Sequence, residues 1–493
     1  MNRLPYSFAR ENGLALAGED TCFHTRRTPL LALAEAQRKA GRVLRFDRVT
    51  ERVLGEMHEE IYRDSASAAA GAAEQARDSE AGVNLEALAD SAAGVDDLLD
   101  QRDDAPMVRL INALLLEAIR ARASDVHIDA EETELAVRFR VDGELRDALT
   151  SSRTLAPQLI SRIKVMGRLD IAEKRLPQDG RVSLRVAEYH LDARISTIPT
   201  QYGERVVMRL LDRGQARIGV GGLGMSANMR SSFERLLHRP DGLILVTGPT
   251  GSGKTTTLYA GLEALNARRS NIMTIEDPIE YALPGIAQMQ VNPATELSFA
   301  RGLRALLRQD PDVIMVGEIR DGETARTAVE SAMTGHLVLS TLHTNSAIGS
   351  VSRLVDLGVE RFLLAPTLRG LIAQRLVRRV CNSCADAREV TPDESQFLSG
   401  MIAPGARYRA GQGCENCGGT GFHGRIALYD LVEVSPLLER AIAEGLDEAA
   451  LTGLLDRSAP GLLADGAAKV AQGLTIPQEV VRVVSDQVGE ELE

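Results

Sequence analysis

The segment GPTGSGKTT, Gly248 to Thr256, constrains this 493-residue chain more than any other stretch. It has the spacing G-x-x-x-x-G-K-[ST], follows the apolar run LILVT and opens the helical pattern TTTLYAGLEAL. A strand that turns through glycines into a helix aims successive backbone N–H groups and the positive helix end at one point, which suits a phosphate. Gly248, Pro249, Thr250, Gly251, Ser252, Gly253, Lys254, Thr255 and Thr256 are therefore the candidate nucleotide contacts. Lys254 supplies a cation for the β- and γ-phosphates of ATP, and Thr255 a hydroxyl for Mg²⁺.

The flanking pattern agrees. LILVTG, IMTIE, VIMVGE and LVLST are short apolar runs separated by helical segments, the mark of a doubly wound parallel sheet. Such sheets bind ligands at the carboxyl ends of their strands, and polar residues gather there. The apolar run that opens VIMVGEIRD stops at Gly317, where an acid is expected, so Glu318 is the carboxylate at that tip and the candidate general base. TIEDPIEY places Glu276, Asp277 and Glu280 after a strand, and TGHLVLSTLHTNS sets His336 and His343 on either side of another. Taken singly, a strand-end carboxylate is as easily a cap, and a lone histidine a satisfied structural residue; position makes them candidates.

In this order and spacing, the P-loop and the TIEDPIEY, VGEIRD and TGH…TLHT boxes resemble the four signatures of the type II, type IV pilus and conjugative secretion ATPases. The resemblance spans residues 105–493. LPYSFARENGLAL, RLPQDGRVSLRV, ISTIPTQYGERVVMRLL and the paired cysteines are most similar to the type II secretion ATPase, the GspE family. It implies that Glu318 activates water, Glu276 belongs to an acidic box and His343 senses the γ-phosphate. It also implies arginines donated between domains, and Arg194 and Arg209, on adjacent predicted strands, match those positions. From the residues alone, scattered arginines read as a solvated sheet face.

The rest of the chain divides by composition. Residues 1–63 hold TPLLALAEAQRKAG and VTERVLGEMHEEIY, two amphipathic stretches at helical spacing, and are expected to form a small, mainly helical domain. Residues 64–104 are alanine- and acid-rich, carry −9 of the net charge of −12, and read as a flexible linker. Residues 105–213 pattern as an α+β domain, which by the resemblance closes over the nucleotide, and 214–224 as a glycine-rich hinge. The RecA-like ATPase domain is expected over 225–375, a cysteine module over 376–430 and a C-terminal helical segment over 431–493.

Two Cys-x-x-Cys pairs, Cys381/Cys384 and Cys414/Cys417, are separated by 29 residues. Four thiolates close a tetrahedral Zn²⁺ shell without an open position, so the zinc is structural. The intervening ADAREVTPDESQ is acidic and argues against a nucleic-acid surface, as does an aromatic content of 3% with no tryptophan. Arg375, Arg378 and Arg379 in QRLVRRVC suit either phosphate, an anionic membrane or a helix C-terminus, the last preferred. No run of 18 apolar residues and no signal-like segment points to a cytoplasmic protein.

The expectation is a RecA-like Mg-ATP hydrolase working as a homo-oligomeric, hexameric ring that powers pseudopilus assembly and export. By resemblance, residues 1–63 dock onto the cytoplasmic part of a GspL-type inner-membrane protein, a GspF-type platform protein is a further partner, and membrane association is peripheral. The alternatives are a type IV pilus extension ATPase, and a DNA-translocating RecA-like motor requiring a basic channel.

Overall fold

The computed structural model describes residues 13–17, 21–26, 28–40, 44–50, 53–54, 85, 88–89, 106–186, 189–212, 218–265, 269–455 and 461–484. Two compact units meet at Asp212/Arg213. Most of the linker expected over 64–104 lies outside the described residues, as do VTERVLGEMHEEIY apart from Val53 and Leu54, and residues 213–217 of the hinge.

The first unit begins with strands β1 (Leu14–Ala17), β2 (Thr21–His24) and β3 (Arg45–Arg48), with a helix over Leu30–Ala40. Leu14, Leu16, Cys22, Ala32, Ala36 and Leu44 form its core. The helical reading of this region omitted the sheet because strands of four residues are too short to display alternation.

After it comes a six-stranded antiparallel sheet, in the order β6-β5-β4-β9-β8-β7. Its strands are β4 (Asp125–Ala130), β5 (Glu134–Val141), β6 (Glu144–Ser152), β7 (Gln178–Val186), β8 (Tyr189–Thr200) and β9 (Gly203–Asp212). The Asp142-Gly143 turn has positive φ at both residues, as a two-residue hairpin demands. Helices Pro106–Arg120 and Ala156–Met166 share a core with Val126, Ile128, Val137, Ile195 and Val206 on one face of this sheet. The alternating positions Asp125, His127 and Asp129 therefore fall on the other face.

The second unit is built on a seven-stranded sheet, in the order β12-β11-β13-β14-β10-β15-β18. Its strands are β10 (Gly242–Thr247), β11 (Ile272–Glu276), β12 (Ala287–Gln290), β13 (Val313–Val316), β14 (Leu337–Leu342), β15 (Leu368–Val380) and β18 (Phe422–Glu433). All neighbours are parallel except β15 and β18. β10, β13 and β14 are buried along their whole length, which explains continuous apolar runs instead of alternation.

The cysteine module is inserted between β15 and β18 and contains the hairpin β16 (Ala385–Glu389) and β17 (Arg407–Gly411). Its expected limits at 376 and 430 fall inside β15 and β18, whose apolar patterns run into the module without a turn residue. Arg375, Arg378 and Arg379 accordingly lie on a strand and not at a helix C-terminus. The described part of the hinge stretch is anchored: Val220 and Leu223 are buried in the core of the second unit, and Tyr429 Oη donates to the Leu223 carbonyl at 3.3 Å. Among the described residues, no helix is long and apolar enough to cross a membrane.

Candidate active site

Parallel strands bring their carboxyl ends to one edge, and that edge collects the candidates of the second unit. β10 delivers the P-loop, β13 delivers Glu318 and β14 delivers His343. Because β14 lies between β13 and β10, His343 emerges between Glu318 and the P-loop.

The P-loop needs its glycines for two reasons. Gly251 and Gly253 have φ of +80° and +87°, a region that side chains disfavour. A Cβ on Gly248 would stand 2.4 Å from the Gln374 carbonyl oxygen, and one on Gly253 would stand 2.8 Å from Gln374 Nε2. β15 thus packs directly against the loop. Pro249, Thr250 and Gly251 form its exposed crown, while Ser252 is buried with a hydroxyl that has no partner among the described residues. An orphaned buried hydroxyl inside a nest of backbone donors fits a phosphate oxygen.

Lys254 opens the helix Lys254–Ala264, with Thr255 and Thr256 half-buried behind it. Its Nζ donates to the carbonyls of Gly248 at 2.6 Å and Pro249 at 3.0 Å. Burial lowers its pKa to about 8, opposed by the charge of Glu318 and assisted by that of Arg375. The ammonium is poised over the loop and costly to keep without an anion.

Glu318 is mostly buried and ion-paired with Arg320, and His343 Nε2 lies 3.6 Å from its Oε2. Burial, followed by the charge of Lys254, depresses the His343 pKa, so its ring is neutral at neutral pH. The glycine before Glu318 also has a local cause. A Cβ on Gly317 would lie 3.3 Å from both the Glu276 Cα and the Ile275 carbonyl oxygen. β13 and β11 lie close there, so a side chain at 317 would require the β11 backbone to yield by a few tenths of an ångström.

Glu276 is placed differently from the other candidates. It is 2% exposed and accepts hydrogen bonds from Tyr259 Oη, from Thr274 Oγ1 at 2.6 Å and from Gln288 Nε2 at 3.1 Å. Its carboxylate ties β11 and β12 to the P-loop helix. His336 sits at the opposite end of β14 from His343, and its Nδ1 lies 2.9 Å from the Ser331 carbonyl oxygen at the end of the preceding helix.

Two site residues escaped sequence reasoning, and a third was read differently. Arg320 was legible in principle, since residues two apart in extended backbone share a side and Glu318-Ile-Arg320 has that spacing. Gln374 was not, and Arg375 was read first as a helix C-terminal charge with phosphate as an alternative, because nothing local announces that β15 lies beside the P-loop.

In the first unit, the register makes Arg194 and Arg209 directly opposed partners on β8 and β9, with Arg181 opposite Arg194 on β7. Asp125 is opposite Arg209 on β4 and accepts from its Nε at 2.9 Å. In the cysteine module, the four sulfurs of Cys381, Cys384, Cys414 and Cys417 all lie within 4.8 Å of one another, and none is in a disulfide. The Sγ pairs 381/414 and 384/417 are 3.9 Å apart, and 414/417 are 3.7 Å apart. A tetrahedral zinc with sulfur at about 2.3 Å sets its ligands about 3.8 Å apart. The backbone N–H groups of Cys414 and Gly421 donate to Cys417 Sγ, each at 3.2 Å, as donors to a thiolate do.

The model of the type II/IV secretion system protein family matches residues 100–482, which include both units' candidate residues. The chain belongs to that family. A second family model, for an amino-terminal domain of GSPII protein E, additionally matches residues 3–62. Type II secretion system protein E of Pectobacterium carotovorum subsp. carotovorum is 50% identical over 490 residues, 98% of this chain and 97% of that protein. Type II secretion system ATPase E of Vibrio cholerae serotype O1 is 46% identical over 493 residues, 99% of this chain and 97% of that protein. Among solved structures, the pilus retraction motor PilT with bound ADP has a TM-score of 0.55 at 29% identity, covering 78% of this chain and 98% of its own. DotB of Legionella pneumophila, at 21% identity, shares the fold with a TM-score of 0.58 over 77% of this chain and 96% of its own. This family member is an ATP hydrolase of type II secretion, and near-full-length similarity to type II proteins disfavours the pilus and DNA-motor alternatives.

Proposed function

We propose that ATP is split only when the two units of the chain close on it, and that this closure drives pseudopilus assembly. The observation that carries the reading is the row of Arg181, Arg194 and Arg209 abreast on neighbouring strands. Arg209 is braced by Asp125, and a row of guanidinium groups on one sheet face concentrates positive charge where an anion would be held. The P-loop gathers its phosphate donors in the other unit, and an interdomain trigger follows from that division.

In this reading the P-loop amides, Ser252 and Lys254 hold the phosphates. Glu318 takes the proton of the attacking water as the bond from the γ-phosphorus to the bridging oxygen breaks. His343 donates to a γ-phosphate oxygen, and Arg194 and Arg209 complete the charge balance from the first unit. Thr255 is the protein ligand for Mg²⁺, which when bound neutralises charge on the β- and γ-phosphates. Glu276 acts indirectly, by holding the P-loop helix against β11 and β12.

The same reading has the chain working as a hexamer, with zinc held by Cys381, Cys384, Cys414 and Cys417 as a structural clamp. Residues 1–63 attach it to a GspL-type membrane protein, with a GspF-type protein as the element it pushes, so its place is cytoplasmic and peripheral at the inner membrane. Pull-down with those membrane components, comparing the full chain with one lacking residues 1–104, tests the attachment, and equal recovery of both forms rejects it. For the chemistry, Glu318→Gln is expected to bind ATP while turnover falls about 10²–10⁴-fold. A mixture of Lys254→Ala and Arg209→Ala chains is expected to regain activity if Arg209 serves a neighbouring subunit; no rescue at any ratio refutes donation in trans.

A further inference from the structure

Arg375 is a buried cation at the base of the phosphate loop, in a position that the reading of the reaction above does not use. It is 5% exposed. β15 pairs with β10 up to Ala373 opposite Thr247, so Gln374 and Arg375 continue alongside the first residues of the P-loop. Arg375 Nη1 donates to the Gln374 carbonyl at 3.1 Å, and Nη2 donates to the Asn345 carbonyl at 3.0 Å. A Cβ on Gly248 would stand 3.1 Å from Arg375 Nη1, so the guanidinium packs against the bare Cα of the first P-loop glycine.

Asn345 follows His343 by two residues, so one planar group touches both the loop that cradles phosphate and the loop that carries the sensing histidine. A second bridge runs parallel to it: Thr344 N donates to Thr247 Oγ1 at 2.8 Å. The guanidinium fork ties the Asn345 carbonyl, in the histidine's loop, to the Gln374 carbonyl on β15, the strand packed against Gly248, and its planarity holds angle as well as distance. Placing this cation beside Lys254 is unfavourable in the absence of an anion and becomes favourable when phosphates arrive.

We propose that Arg375 is a positioning residue of the hydrolysis site: it locks the P-loop and the His343 loop into one phosphate-ready arrangement and adds fixed positive charge beneath the phosphates. The proposal rests on the nucleotide reading of this site. Removing the guanidinium unties the Asn345 loop from β15 and takes fixed positive charge from beneath the phosphate loop.

The test uses the full-length chain with Arg375→Gln and Arg375→Lys, measuring kcat and KM for ATP, affinity for a fluorescent ATP analogue, and thermal unfolding. In Arg375→Gln, turnover is expected to fall about 10–10²-fold, as for a misplacement of catalytic groups by about an ångström. Analogue affinity is expected to fall with it, because fixed charge beneath the phosphates is lost. Arg375→Lys is expected to keep the native affinity, because it keeps the charge, but not the turnover, because an ammonium lacks the fork. Native turnover in both variants, or a lowered unfolding temperature with the analogue affinity and the turnover of the folded fraction unchanged, overturns the proposal and leaves Arg375 as packing. Should Arg375→Gln fail to fold, the Lys variant decides alone: recovered native turnover refutes a role for the fork. Absence of saturable analogue binding by the native chain sinks the underlying nucleotide reading, an outcome distinct from an unaltered variant beside a binding-competent native chain.

Discussion

Asp125 holds Arg209 across β4 and β9 through a 2.9 Å contact from Nε, while its other oxygen accepts from Ser124 Oγ at 2.7 Å. The aspartate is buried and the arginine side chain is 54% exposed, so the pair fixes the Nε edge of a guanidinium that is otherwise partly open to solvent. Asp125→Asn keeps the shape and loses the charge. Turnover is expected to fall by up to about 10²-fold, with the KM for ATP nearly unchanged, because the arginine still exists but is misdirected. Steady-state ATPase kinetics of the oligomer check this.

The carboxylate of Glu276 depends on Tyr259, whose hydroxyl is buried with it. Tyr259→Phe leaves a buried anion short of one donor while Thr274 and Gln288 remain. A loss of about 1–3 kcal/mol is expected in urea unfolding, together with a smaller drop in turnover as the helix that begins at Lys254 loosens. Unchanged stability would show that the network does not hold this helix.

Lys254 provides a pH signature. Its pKa is lowered to about 8 before nucleotide binds, so the side chain is charged below that pH and increasingly neutral above it. Phosphates favour the charged form, so ATP binding is expected to take up a proton when measured at pH 8–9 and almost none at pH 6.5, and affinity declines as pH rises through 8. Calorimetry in buffers of different ionisation enthalpy measures the uptake. Lys254→Met removes it.

For the cysteine module, Cys381→Ser combined with Cys414→Ser removes one ligand from each Cys-x-x-Cys pair. Zinc is expected to leave the purified protein, and the thermal midpoint to fall, since metal affinity is linked to folding of the loops that carry the ligands. Metal analysis with thermal unfolding decides, and a metal-free double variant with native stability removes the structural role. The strands β15 and β18 join the module directly to the ATPase sheet, so the loss is expected to reach the nucleotide site as weaker ATP binding.

What the sequence by itself determined is whatever depends on neighbours along the chain. The P-loop follows from glycines at fixed offsets between a strand and a helix, and the metal cluster from two short cysteine spacings. Glu318 and His343 reach the P-loop edge because parallel strands present their carboxyl ends together. Tertiary structure alone decided the rest. That Glu276 turns inward to Tyr259, that His336 lies at the far end of β14, and that Gly317 packs tightly against β11 all depend on which strand is adjacent to which. The same holds for Arg375 beneath Gly248 and for Arg194 opposite Arg209. Strand order and register are set by burial summed over the whole sheet, a long-range quantity that no window of sequence contains.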